Sequence, residues 1–176
     1  MGRSMKWVLI AVGTLVLLIA SMWIIGARLP KGHVATRSAH YRQPPEAVWA
    51  ALVTLEDMPR WRNELKSIER RPDVDGKPSW VEISSQGAMP IVVIEWDPPR
   101  RMVGKIDDPQ LPFGGTWTYE ITPIDGGSTL RITERGEVYP ALFRFLSRFV
   151  FGHAGTIETY LKNLGSKFGE PVTPQP

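Results

Sequence analysis

The chain has 176 residues, the size of one domain with a short appendage, which excludes a multidomain assembly or a long repeat array. Its hydrophobic share of 43% is ordinary for a globular protein, and it has no cysteine for a disulfide or a thiolate site. Arg3 and Lys6 precede the first acidic residue, which leaves 19 of 21 basic residues against 18 acidic ones in the rest of the chain. Such a balance argues against a nucleic-acid-binding surface.

Residues 7–27 form an apolar stretch without a single charge. As a helix these 21 residues extend about 31 Å, the thickness of a bilayer's hydrocarbon core. Trp7 and Trp23 suit the two interfacial belts of a membrane anchor. The apolar core of a cleaved signal peptide is usually shorter, so the length favours an uncleaved single-pass anchor. Basic residues flank both ends in similar numbers and leave open which side of the membrane carries the rest of the chain.

The remaining sequence predicts one α+β domain over residues 33–169. A tail (1–6) precedes the anchor, a linker (28–32) follows it, and the proline-rich residues 170–176 are expected to be disordered. A strand over 33–42 ends at Pro44-Pro45, which starts the first of two short helices within 46–65. Tight turns predict antiparallel strands, over 67–71, 80–86, 91–96, 102–106, 115–122 and 128–138.

A long helix is predicted from about Pro140 to residues 165–169. Apolar residues recur there at steps of three and four, which is the pattern of a helix that packs along one face. His153 is the one polar member of this stripe. The other members are Leu142, Leu146, Phe149, Ile157, Leu161, Leu164 and Phe168.

The order strand, two short helices, antiparallel strands and long C-terminal helix resembles the SRPBCC superfamily. This START-like group includes polyketide cyclases, dehydrases and lipid-transfer proteins. The resemblance is carried by the segments 44–61, 95–106 (EWDPPRRMVGKI), 114–138 and 156–170 (TIETYLKNLGSKFGE). It implies a helix-grip fold, in which a curved sheet wraps the long helix around an apolar pocket. The superfamily shares a cavity rather than a catalytic signature, so the resemblance names no reaction.

Strand alternation indicates which side chains face that pocket. Trp117 and Tyr119 share a face with Ile121, and Glu134 shares the apolar face of its strand with Ile132. Tyr160 offers a hydroxyl near the opposite end of the pocket. The residues predicted to line the cavity are Trp117, Tyr119, Ile132, Glu134, Phe149, His153, Ile157 and Tyr160.

His153 and Glu134 are the candidate catalytic residues. A facing pair of imidazole and carboxylate is suited to acid–base chemistry, whereas the favoured interpretation makes each a satisfied buried polar residue. The three histidines lack the spacing of metal ligands, so neither a metal nor a cofactor is expected.

The sequence therefore predicts a membrane-anchored domain that binds a hydrophobic small molecule or lipid in an internal cavity. One alternative is an enzyme of the cyclase or dehydrase kind, with acid–base residues in the same cavity. A second is a protein-interaction domain with a closed cavity, in which exposed side chains such as Phe143, Phe145, Phe151 or Trp96 form an interface.

Overall fold

The computed structural model describes residues 2–176; Met1 and the side chain of Arg3, both in the predicted N-terminal tail, lie outside that description. Three helices and one strand come first: α1 (Arg3–Arg28), β1 (Gly32–Tyr41), α2 (Pro45–Val53) and, after a 3-10 turn, α3 (Met58–Trp61). Six strands follow: β2 (Leu65–Val74), β3 (Lys77–Ser84), β4 (Gly87–Asp97), β5 (Arg101–Ile106), β6 (Phe113–Ile124) and β7 (Gly127–Val138). The last helical elements are α4 (Ala141–Leu146), a π-helical segment (Ser147–Phe151) and α5 (Gly155–Lys167).

The seven strands form one antiparallel sheet in the order β1-β7-β6-β5-β4-β3-β2. Consecutive strands are neighbours from β2 to β7, as the short turns between them predict, and only β1 is placed by a long-range pairing. His33 lies opposite Gly136 and Ala35 opposite Glu134 in that pairing. The α+β helix-grip prediction is confirmed.

Helix α5 supplies the centre of the core. Its residues Ile157, Leu161 and Leu164 are fully buried, and each such side chain contributes about 1.5–3 kcal/mol on burial. The hydroxyl of Tyr41 donates a hydrogen bond of 2.9 Å to the Leu161 carbonyl, which ties β1 to the helix. The sheet and α5 thus enclose the inner space of the domain.

The predicted long C-terminal helix is interrupted. Gly152 has a φ of 71°, a conformation that glycine adopts at little cost and that no helix contains. The chain therefore leaves its helical path after Phe151, and α5 begins only at Gly155. Periodicity predicted the apolar stripe, but the stripe spans two separate elements that face different surroundings.

The C-terminal residues, expected to be disordered, lie along β1. Gln175 and Ser38 exchange backbone hydrogen bonds of 2.8 and 2.9 Å, so the tail adds a short bridge to the edge of the sheet. Gly165 of α5 lets the chain return closely, since a β-carbon there would clash with the Glu170 carbonyl. Backbone pairing and this close return hold the tail despite its prolines.

Helix α1 projects from the domain with most of its side chains exposed. The most apolar 18-residue window within Ser4–Arg28 has a mean hydropathy of 2.7 and no buried residue, so the helix is long and apolar enough to cross a membrane. Its C-terminal end is nevertheless docked: Gly26 is buried against α4, and the Arg144 guanidinium donates a 2.8 Å hydrogen bond to the Gly26 carbonyl.

Replacing Gly26 by valine is expected to detach α4 from α1. Any β-carbon at this position would overlap the Ala141 carbonyl, and relieving overpacking of this kind typically costs about 1–3 kcal/mol. Amide hydrogen exchange over residues 141–146 should accelerate by about tenfold or more. Gly13→Val is the matched control, because nothing lies within 4 Å of a β-carbon at Gly13. Equal exchange in the two variants would contradict the docking.

Candidate functional site

The inner space between the sheet and α5 is lined by aromatic side chains. The ring centroids of Trp117 and Tyr119 on β6 lie 6.0 and 5.7 Å from that of Tyr160 on α5. Trp61, at the end of α3, packs edge-on against the same tyrosine at 5.3 Å. The predicted alternation of β6 thus brings its two aromatics to the inside, and burial raises the pKa of the Tyr160 hydroxyl, which keeps it neutral.

The two aromatic residues of β6 that face the inner space are not fully buried. Trp117 and Tyr119 face α5 and yet remain partly exposed. Ile132 on β7 and Ile157 on α5 are fully buried. Gly104, the partner of Trp117 on β5, has the same inward orientation. A β-carbon on Gly104 would find one atom within 4 Å, the Ile91 Cγ2 at 3.3 Å. The absence of a side chain at Gly104 therefore leaves room on the inner face.

A buried ion pair lies beside the aromatics. Arg62, directly after α3, donates two hydrogen bonds to the Glu82 carboxylate of β3, at 2.6 and 3.0 Å. The guanidinium also lies 5.0 Å from the centre of the Tyr160 ring. Burial by itself would lower the pKa of Arg62, but the Glu82 charge and its hydrogen bonds raise it, so the arginine stays charged.

Sequence reasoning missed this pair, because β3 carries apolar residues in both phases and the direction of Glu82 was ambiguous. The sequence offered one signal for this pair: an arginine, Arg62, directly after Trp61 at the end of a short helical segment.

A second polar cluster closes one end of the inner space. The Glu134 carboxyl lies 3.3 Å from His33 Nε2, and the His33 ring stacks on His153 with centroids 3.8 Å apart. Gly136 makes this possible, since a β-carbon there would overlap the His33 imidazole. The structure thus brings Glu134 and His153 into one cluster, with His33 between them. Sequence reasoning did not select His33, although its place at the start of β1 has the parity of the buried residues Ala35 and Ala39.

Burial sets the charge state of this cluster. Desolvation raises the pKa of Glu134 to about 7, an effect that a hydrogen bond from Trp117 partly offsets. Desolvation also lowers the pKa of His33, and that of His153, where nearby His33 and Arg148 act in the same direction. Near pH 7 the Glu134 carboxyl is therefore partly protonated and the His33 imidazole mainly neutral, so their contact is a hydrogen bond and not a fully charged ion pair.

Other predicted residues lie outside the inner space. Phe149 is 59% exposed and contacts Phe145, with ring centroids 4.9 Å apart; the break at Gly152 separates it from α5. Trp7 and Trp23 are exposed on α1. Two open depressions of about 440 and 430 Å³ lie on the outer face of the sheet, one beside Lys105 and Arg135, the other beside His40 and Glu120. Neither contains a residue predicted to line the cavity.

Comparison with known proteins identifies a matching family and similar solved structures. Residues 33–168 match a sequence model described as "Polyketide cyclase / dehydrase and lipid transport". Protein MLL2253 from Mesorhizobium loti has 18% identity and a TM-score of 0.61, covering 78% of this chain and 97% of that one. A START superfamily protein from Mycobacterium smegmatis has 16% identity and a TM-score of 0.60, covering 77% and 96%.

A synthase shares the same fold. Norcoclaurine synthase from Thalictrum flavum has 10% identity and a TM-score of 0.61, covering 79% of this chain and 87% of that one. At these identities the similarity establishes the fold alone. None of the curated proteins compared with this chain matches it.

Proposed function

The chain belongs to the polyketide cyclase/dehydrase and lipid-transport family, and on that premise we propose that it is a membrane-anchored domain that binds a hydrophobic small molecule or lipid. The ligand occupies the inner space between the sheet and α5. The observation that carries this proposal is the pair Trp117 and Tyr119, which face α5 but remain partly exposed beside the missing side chain of Gly104. Aromatic rings that are inward and still accessible are typical of an apolar ligand site.

The two polar clusters suit a ligand with one polar end. Near pH 7 Glu134 is only partly ionised and is hydrogen-bonded to His33, so this end presents both a hydrogen-bond donor and an acceptor. Arg62 is already bound to Glu82 on both of its terminal nitrogens. The Glu134–His33 end is therefore the one available to a hydroxyl, carbonyl or ester group of the ligand.

The proposed anchor supports a ligand that partitions into membranes. Only residues 29–31 separate α1 from β1, which holds the domain at the end of the apolar helix. A tether this short raises the effective concentration of the site near the bilayer.

Native mass spectrometry with lipid extraction tests the proposal on residues 31–176, expressed without α1. This part should fold, because the hydrophobic core of the described residues contains none from α1. A hydrophobic molecule that copurifies in stoichiometric amount would support the proposal and identify the ligand class. A domain that is empty as purified and binds nothing from a panel of lipids and polyketides would contradict it.

A leucine in place of Gly104 is expected to weaken the binding of that ligand by at least about tenfold, which corresponds to 1.4 kcal/mol. The new side chain would occupy the space beside Trp117, where a β-carbon meets only the Ile91 side chain. The matched control is Lys105→Leu, which adds leucine to the exposed, opposite face of the same strand. Binding should be measured by ligand titration of variants with equal melting temperatures. Equal affinities for the two variants would place the ligand elsewhere.

Acid–base catalysis is the second candidate function, supported by the contact of Glu134 with His33 and the stacking of His33 on His153. A carboxyl whose pKa is about 7 can exchange a proton at physiological pH, and an adjacent imidazole can pass it on. Cyclisation or dehydration of a bound polyketide needs such a proton transfer.

Turnover of a panel of linear poly-β-ketones tests this second function. Glu134→Gln should abolish product formation while ligand binding persists, because an amide is neither an acid nor a base at this pH. If the unmodified protein binds these compounds without converting them, catalysis is contradicted and only the binding function remains.

A further inference from the structure

The segment from Ala141 to Phe151 carries a large unpartnered apolar surface. Eight of its eleven residues are apolar, and Phe143, Phe149, Val150 and Phe151 are between 51% and 71% exposed. Aromatic side chains exposed together on a helical element mark an interaction site rather than a solvated surface. The three polar residues of the segment are Arg144, Ser147 and Arg148.

The segment lies directly against the end of α1. Gly26 is buried against α4 and Met22, one turn earlier, is half-buried, while the side chains around them on α1 are exposed. Met22 precedes the last residue of α1 by six positions, about 9 Å along a helix axis. The Arg144 guanidinium closes the contact by binding the Gly26 carbonyl. The exposed aromatics are therefore continuous with the exposed apolar surface of α1.

We propose that the segment 141–151 is embedded in the bilayer, in the leaflet that surrounds the C-terminal end of α1. This inference rests on the proposed function, because it takes α1 to span a membrane. If Arg28 lies at the headgroup level, a segment that contacts α1 at Gly26 lies at or below that level. Insertion removes Phe149, Val150 and Phe151 from water at the interface, as in monotopic amphipathic helices. The exposed side chain of Arg148 then extends its guanidinium toward the phosphates.

Embedding would also place the end of the inner space that carries Glu134 and His33 at the membrane surface. His153 follows Phe151 by two residues and stacks on His33, which contacts Glu134. The polar cluster thus lies between the inserted aromatics and the inner space. A lipid or other amphiphile would enter from the leaflet past this cluster, with its apolar part shielded from water throughout.

Site-directed spin labelling of the full chain tests the insertion, and the absence of native cysteines makes single labels straightforward. Nitroxides are attached to Val150→Cys and Phe151→Cys, at exposed positions whose substitution removes no core contact. Leu17→Cys on α1 is the reference label for the anchor, and Ile124→Cys, at the exposed end of β6, is the reference label for water. Each variant is reconstituted into nanodiscs of phosphatidylcholine with a minority of phosphatidylglycerol. Accessibility to oxygen, which concentrates in hydrocarbon, is compared with accessibility to a water-soluble nickel chelate.

Labels at positions 150 and 151 are expected to favour oxygen, as the label at 17 does, whereas the label at 124 favours nickel. If position 17 favours oxygen but 150 and 151 favour nickel, α1 is an anchor and the segment is not inserted, which overturns this inference alone. If position 17 also favours nickel, the anchor fails and the inference fails with it. Labels at 150 and 151 that are shielded from both reagents would show that a protein covers the face, and would equally overturn the proposal.

Discussion

Substituting Arg62 by methionine is expected to lower the free energy of unfolding by about 3–5 kcal/mol, the cost of leaving one partner of a buried ion pair uncompensated. Arg62 is 8% and Glu82 is 6% exposed. Without the guanidinium, the Glu82 carboxylate would keep one weak partner, the Trp80 indole nitrogen at 3.4 Å. Tyr160 would also lose the cation above its ring.

Urea unfolding of residues 31–176, followed by tryptophan fluorescence, measures this loss. Arg60→Met is the matched control: Arg60 lies two residues away, is highly exposed and pairs with Asp57, so its loss should cost within about 0.5 kcal/mol. The double substitution Arg62→Met with Glu82→Leu should recover most of the stability, because it removes both buried charges together. A single Arg62 variant as stable as the Arg60 variant would refute the buried pair.

Replacing Glu134 by glutamine is expected to change how stability depends on pH. The folded-state pKa of about 7 lies above the ordinary value of 4.5, so the folded state binds more protons than the unfolded state between these two values. This carboxyl's contribution to stability is therefore full below about pH 4.5 and falls as pH rises toward 7, by about 3 kcal/mol in total. His33 and His153 have lowered pKa values, so their contribution has the opposite sign and increases with pH up to about 6.5.

The free energy of unfolding of Glu134→Gln minus that of the unmodified protein should therefore rise between about pH 4.5 and pH 7. A constant offset from the altered contact with His33 does not affect this slope. Glu137→Gln is the matched control, on the same strand but exposed to solvent, and the rise for Glu134→Gln should exceed that for Glu137→Gln. A flat curve for Glu134→Gln would show that the Glu134 carboxyl is hydrated in the folded state.

The sheet was predictable because its information is local. Each strand from β2 to β7 pairs with its neighbour in the chain, and the turn residues between them, such as Asp75-Gly76 and Gly126, mark the reversals. Alternation along β6 and β7 then assigns Trp117, Tyr119, Ile132 and Glu134 to one face, since side chains in a strand point to opposite sides in turn.

The C-terminal helical region was only half predictable. The apolar stripe from Leu142 to Phe168 keeps the period of a helix on both sides of Gly152, and periodicity reports the direction of side chains, not the continuity of the backbone. The positive φ of Gly152 ends the first part. As a result Phe149, expected in the cavity, lies on an exposed surface next to α1, while Ile157 is in the core.

The residue order alone determined the apolar span of residues 7–27, the α+β architecture and the face on which Glu134 and the β6 aromatics lie. These features depend only on composition and on periods of 2 and 3.6 residues. The partners of the polar residues were decided by the tertiary structure. His33 meets Glu134 across 101 positions of sequence, and Arg62 meets Glu82 across 20. No local pattern encodes such contacts; they arise because burial brings distant polar groups together, and a buried polar group must find a partner.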